Sequence, residues 1–199
     1  MKPFVITVSR QFASMGRSIS QSLAHKLGIN FYDRDIVEET AKRIGLPVSH
    51  ISKLEELYSS SYLKRMFPLG TGAQSVQDEI FMTQKNIIRD IAQKESCIIV
   101  GRCANTILMD HERSLSVYIY APKDERLKNC VEKLEMDEKS AKHTLESVDK
   151  ARNAYCAAYG NYGENPFDNH QIMLDSSHFG IEGTADILAS IARSMFGLS

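Results

Sequence analysis

The segment Gln11-Phe12-Ala13-Ser14-Met15-Gly16-Arg17-Ser18 has the residue types and spacing best suited to holding phosphate. It follows an apolar, β-branched run, Phe4-Val5-Ile6-Thr7-Val8, and precedes Ile19, Leu23, Ala24 and Leu27 at helical spacing. Against the phosphate-loop pattern G-x-x-x-x-G-K-[ST], Gly16 and Ser18 match. Gln11 stands in place of the first glycine and Arg17 in place of the lysine. A loop between a buried strand and a helix N-terminus gathers backbone N–H groups and the positive end of the helix dipole, which suits phosphate. Amides around Met15–Ser18 would form the nest, Gly16 would allow close backbone approach, and Arg17 would grip phosphate with two donors. Ser18 would ligate a phosphate-bound Mg2+. Ser14 and Ile19 complete the expected donor-binding set. The same pattern also fits an ordinary strand-to-helix turn carrying a surface arginine.

Other positions add to this picture. Arg102 follows a buried run and a glycine, Cys97-Ile98-Ile99-Val100-Gly101, so it should project from the carboxyl edge of a sheet. Asp33 ends a second short apolar run, Ile29 to Tyr32, and can cap the helix that follows. The four cysteines contain no C-x-x-C and no Cys/His ligand pair, which argues against a zinc site and reads as free thiols in a reducing cytoplasm. None of the six histidines pairs at i, i+4, and only His178 lies near a ligand-side loop. Neither G-x-S-x-G nor G-x-G-x-x-G occurs. Tyr155, Tyr159 and Tyr162 read as packing residues.

The elements that must position these residues alternate regularly. Strands are expected at 4–8, 29–32, 97–100, 115–120 and 172–174. Helices are expected at about 19–27, 33–44, 47–57, 75–94, 125–134, 137–159 and 181–195. Residues 58–74 contain three consecutive serines, Pro68 and Gly70-Thr71-Gly72, and read as a mobile insertion. Alternation of this kind predicts a single α/β domain, a five-stranded parallel sheet with helices on both faces. Ligands bind such sheets at the carboxyl ends of the strands. The formal net charge is −1 and the basic residues are scattered, which argues against a nucleic-acid groove or an anionic membrane surface. No stretch reads as a membrane span. A homodimer is compatible with the composition.

The ordered set of motifs goes further. Ile6-Thr7-Val8-Ser9-Arg10-Gln11-Phe12, Gly16-Arg17-Ser18, Phe31-Tyr32-Asp33-Arg34, Val100-Gly101-Arg102, Ala121-Pro122 with Glu125-Arg126, Asp149-Lys150-Ala151-Arg152 and Leu174-Asp175-Ser176-Ser177 occur in turn. Together they resemble the cytidylate kinase-like family, a branch of the P-loop nucleoside monophosphate kinases. The resemblance implies a three-layer P-loop fold, ATP as phosphoryl donor with Mg2+, a nucleoside monophosphate acceptor, and a helical lid at about 123–160 that excludes water. It assigns catalytic charge to Arg126 and Arg152, and acceptor binding to Arg102 and Asp33; by position, Arg17 in the loop joins the first set and Arg34 beside Asp33 the second. The i, i+3 spacing of Asp149 and Arg152 also fits a simple surface pair.

Four positions depart from true cytidylate kinases. Cys103 replaces the aspartate of Gly-Arg-Asp, Val100 an acidic residue, Glu39 an acceptor-phosphate arginine, and Arg34 a small hydroxyl residue. These changes argue against cytosine as the base. Two further functions stay open: a kinase of a small hydroxylated metabolite with Asp33 as base, and a nucleotide sensor without turnover.

Overall fold

The structure is a computed structural model describing residues 2–49, 51, 71–160 and 166–198. The sheet has five parallel strands: β1 (Val5–Arg10), β2 (Asn30–Tyr32), β3 (Cys97–Val100), β4 (Ser114–Tyr120) and β5 (Ile172–Asp175). Their order is β2-β3-β1-β4-β5, and all pairings are parallel, as the alternating pattern predicts for the sheet. β1 is central, with Val5 opposite both Cys97 and Ser114.

Seven helices accompany it among the described residues: α1 (Gly16–Leu27), α2 (Arg34–Ile44), α3 (Thr71–Lys94), α4 (Ala104–Ile107), α5 (Lys123–Glu132), α6 (Glu138–Tyr159) and α7 (Ser176–Phe196). Successive strand residues face opposite sides of a sheet, so β1 feeds two cores. Ile6 and Val8 pack with Ile19, Leu23, Leu188 and Phe196, beneath α1 and α7. Val5 packs with Ile36, Ile87, Ile88 and Ile99, beneath α2 and α3. Strands covered on both faces read as continuous apolar runs, and Cys97-Ile98-Ile99-Val100 is one.

A third, smaller core lies beyond the edge of the sheet. Cys130, Ala141 and Leu145 of the α5–α6 hairpin pack on Ala13, with Phe12 against them. The candidate phosphate loop is therefore part of the hairpin's own core.

Two helix starts differ from the sequence reading. α3 begins at Thr71, so the end of the expected insertion is helical backbone. Residues 58–70, most of the helix expected at 47–57, and Tyr162 lie outside the described residues. α7 begins at Ser176, where the Asp175 carboxylate accepts the Ser177 N–H at 2.9 Å. A break at Gly180 (φ 63°, ψ −168°) follows. That break interrupts the period, which is why the pattern is legible only from Ile181. The four-residue α4 is too short to show a period at all.

Candidate functional site

β1 delivers Arg10 to the carboxyl edge, and the loops after β1 and β3 close around it. A β-carbon on Gly16 would lie 2.8 Å from Arg10 Cβ and 3.4 Å from Ile119 Cβ. A β-carbon on Gly101 would lie 2.2 Å from Arg10 Nη1. Both glycines thus make room for one arginine. The bare α-carbon of Gly16 therefore faces Arg10, whose close approach a side chain would block.

The loop between β1 and α1 is held from outside by its carbonyls. Ser14 Oγ donates to the Gln11 carbonyl (3.0 Å) and to that of Ile119 (3.2 Å). Arg126 Nη1 donates to the Phe12 carbonyl (3.2 Å), Asn129 Nδ2 to that of Ala13 (3.0 Å), and Ser176 Oγ to that of Ser14 (2.7 Å). Ala13 and Met15 are left-handed (φ 58° and 59°) although neither is glycine. Left-handed residues in a turn of this kind produce an anion-binding concavity. Met15 is the N-cap of α1 and its side chain makes no capping bond. The helix's first amides, in Gly16, Arg17 and Ser18, are therefore left to an external acceptor. They open at the carboxyl edge of β1.

Two members of the expected donor-binding set are committed elsewhere. The Ile19 N–H donates to the Met15 carbonyl at 2.9 Å, and its side chain is wholly in the core. The Ser14 hydroxyl and carbonyl are both used to build the loop. Met15, Gly16, Arg17 and Ser18 remain with groups at the rim.

On the acceptor side, Asp33 is buried and stands at the N-cap position of α2, yet its carboxylate caps nothing. It accepts from Arg17 Nε at 2.8 Å and pairs with Arg10 Nη2 at 3.5 Å. The expected capping role is replaced because two guanidinium groups lie closer to the carboxylate. Arg34, next in sequence, is exposed. Gly101, Arg102 and Cys103 are three successive left-handed residues (φ 75°, 55° and 52°). Non-glycine residues held in this region concentrate at functional sites.

The α5–α6 hairpin supplies the other charges. Arg126 is buried and its Nη1 lies 2.5 Å from Asp149 Oδ2. Asp149 Oδ1 also accepts the Phe12 N–H at 2.7 Å. Asp149 and Arg152 therefore do not form the surface pair that their spacing allowed. The carboxylate clamps the loop to α5 instead. Arg152 Nη1 donates to the Arg10 carbonyl (3.2 Å), and its guanidinium lies 5.9 Å from the centre of the Phe12 ring. Tyr155 and Tyr159 hold the other flank of α6. Their hydroxyls donate to Gln84 (3.0 Å) and Asp78 (2.8 Å) of α3, and Phe81 stacks on Tyr159 at 4.4 Å. These tyrosines do pack, as expected.

Arg10, Arg102 and Arg152 sense one another. Burial pushes the Arg10 guanidinium well below its ordinary range. Arg152 adds to this, Asp33 opposes it, and Arg102 adds further. Burial likewise pushes Arg152 down, with Asp149 opposing and Arg102 adding. A partly buried cluster of like charge is unfavourable by itself and becomes favourable around a polyanion.

The expected residues Arg17, Asp33, Arg102, Arg126 and Arg152 thus converge on one edge. The sequence reading missed Arg10 and Asp149 as site residues. A charged residue ending a buried strand was the available signal for Arg10. Among the described residues no group of histidine, cysteine, aspartate or glutamate could hold a metal alone. Ser18 is half-buried in the first turn of α1. His178 is exposed on α7. No described helix is long and apolar enough to cross a membrane.

Comparison with known proteins agrees with this architecture. An uncharacterised protein from Eubacterium ventriosum superposes with a TM-score of 0.73 at 24% identity, covering 96% of this chain and 99% of that one. A shikimate kinase from Acinetobacter baumannii, solved with shikimate, gives 0.56 at 11% identity, covering 96% and 94%. A shikimate kinase from Aquifex aeolicus gives 0.50 at 19% identity, covering 98% and 99%. At these identities the likeness shows the fold, that of the P-loop kinases. No curated protein sequence matches the chain. The sequence pattern of the cytidylate kinase-like family matches residues 5–178, and with the fold and the phosphate loop in place the chain belongs to that family.

Proposed function

We propose that the chain transfers a phosphoryl group from ATP, with Mg2+, to a small anionic acceptor, a nucleoside monophosphate whose base is not cytosine. The observation that carries this reading is the partly buried arginine cluster beside the uncapped N-terminus of α1. Arg10, Arg102 and Arg152 stand together with Asp33 as the nearest carboxylate of Arg10. The donor set fits a triphosphate, because backbone amides, guanidiniums and one hydroxyl are what phosphate oxygens and a phosphate-bound Mg2+ accept. The Mg2+-bound triphosphate supplies the transferable phosphoryl group.

The chain's own residues position and neutralise. Amides from Met15 to Ser18 hold the donor phosphates, and Ser18 offers its hydroxyl to the metal. Arg17 keeps Nε on Asp33 and presents its two terminal nitrogens to phosphate, which lysine could not do. Arg102 and Arg10 orient the acceptor's anionic group, with Arg34 at the rim. Arg126 and Arg152 sit on the α5–α6 hairpin, which acts as the lid, and they offset charge developing during transfer. Asp149 ties that hairpin to the phosphate loop at Phe12. Both Asp33 oxygens face guanidiniums. This geometry supports an acceptor phosphate over a hydroxyl that Asp33 would have to deprotonate.

A coupled phosphotransfer screen across nucleoside monophosphates, with ATP and Mg2+, tests the reading. Turnover with one or more purine or uracil nucleotides is expected. ATP binding by calorimetry with no turnover on any acceptor would overturn it in favour of a sensor. Turnover confined to hydroxylated, unphosphorylated acceptors would overturn the acceptor class.

A further inference from the structure

Cys103 and Cys156 take no part in the chemistry above, yet the fold brings them together across 53 residues of chain. Cys103 lies in the loop after β3, beside Arg102. Cys156 lies on α6, one turn beyond Arg152. The Cys103 thiol donates to Cys156 Sγ at 3.8 Å. Both are thiols and not a disulfide. Cys103 is 2% exposed, whereas Cys156 is half-buried and so within reach of a small reagent. The Arg10 guanidinium lies within electrostatic range of Cys156. The sulfurs need close by less than about 2 Å to reach bonding distance. Cys103 also occupies the position where this chain departs from the Gly-Arg-Asp pattern.

We propose that Cys103 and Cys156 form a reversible disulfide, by exchange with a low-molecular-weight disulfide, that fastens α6 to the loop after β3. The Cys156 thiolate attacks one sulfur of the reagent, breaks its S–S bond and releases one thiolate. The Cys103 sulfur then attacks Cys156 Sγ and expels the second half of the reagent, the Cys103 proton passing to that departing thiolate. The protein loses two electrons and two protons, and the reagent disulfide becomes two thiols. The bond joins the Arg102 loop to the helix carrying Arg152. On the lid reading given above it blocks opening, and turnover falls about tenfold or more. The pairing itself does not depend on that reading.

The test uses the whole protein incubated with oxidised glutathione, quenched by alkylation, denatured and mapped by mass spectrometry. Titratable thiols should fall from four to two, with Cys103 and Cys156 joined in one peptide pair, reversed by excess dithiothreitol. Cys103→Ser should stop at a Cys156–glutathione mixed disulfide, and Cys156→Ser should keep its remaining thiols. The buried Cys97 and Cys130 serve as internal controls. Wild-type protein that retains four thiols, halts at a mixed disulfide, or pairs through Cys97 or Cys130 would overturn the proposal. If either serine variant fails to fold, the wild-type peptide map decides alone. A crosslinked protein with unchanged ATP turnover would overturn the locking effect while leaving the disulfide in place.

Discussion

Arg10 lies so close to Gly101 that a β-carbon on that glycine would meet Arg10 Nη1 at 2.2 Å. Gly101 also has φ +75°, where a side chain is itself unfavourable. The left-handed conformation costs roughly 1–2 kcal/mol for a residue with a β-carbon. Gly101→Ala should therefore lower stability by about 2 kcal/mol in urea unfolding. It should also raise KM for the acceptor, because Arg10 is pushed off Asp33. Wild-type stability in this variant would show that Arg10 relaxes without consequence.

That contact was not legible in the sequence, and the reason is physical. Local periods carry information about the faces of elements, so the spacing of Ile19, Leu23 and Leu27 located α1 and the apolar run of Cys97 to Val100 located β3. Arg10, Asp33, Gly101 and Arg152 meet only because the ends of β1, β2 and β3 and the middle of α6 come to one edge. No local spacing records that meeting. Asp149 shows the same limit in reverse. Its spacing to Arg152 suggested a pair on one helix, but Arg126 on α5 is the nearer partner once the hairpin closes on Phe12. Ile19 shows a further limit, because a motif marks backbone positions without showing that the helix already uses the Ile19 N–H.

Arg152 separates function from stability. Its guanidinium is buried beside like charges on Arg10 and Arg102. Arg152→Met removes one of these cations while keeping the stem that covers Phe12. Stability without ligand should stay within about 1 kcal/mol of wild type, because replacing a buried charge by an apolar group is often near neutral. Turnover with ATP should fall about a hundredfold, the scale of losing one preorganised donor to a transferring group. Equal losses in both measurements would mark Arg152 as structural.

Asp149 should behave in the opposite way. It holds the Phe12 amide and Arg126 together, with both side chains largely buried. Asp149→Asn leaves Arg126 as an uncompensated cation and should destabilise the fold by about 3 kcal/mol. Adding Arg126→Met should recover much of that loss, since the stranded charge is gone. A double-mutant cycle in urea reads the coupling directly. Additive losses from the two substitutions would show that the pair contributes little.

Alkaline pH should unfold this protein earlier than its modest net charge suggests. Burial pushes the Cys97 thiol up to about 12 from an ordinary 9.0. A hydrogen bond to Glu95, with burial behind it, pushes Tyr32 up to about 12 from 10.0. Burial pushes Cys130 in the same direction. In each case the folded state keeps a proton that the unfolded chain has released. The associated stability is complete below about pH 9 and drains away as pH climbs from about 9 to 12. Each group contributes a slope of up to about 1.4 kcal/mol per pH unit within its window. Arg10 acts with the opposite sign, because burial lowers its folded value and the unfolded state then holds the extra proton. The acidic groups outnumber it. Urea midpoints at pH 7, 9 and 10.5 should fall steeply over the last interval. Cys97→Ala should lose about 1 kcal/mol at pH 7 by leaving a small cavity, yet show a flatter decline above pH 9. A parallel pH profile in that variant would mean that the Cys97 proton does not govern the alkaline limb.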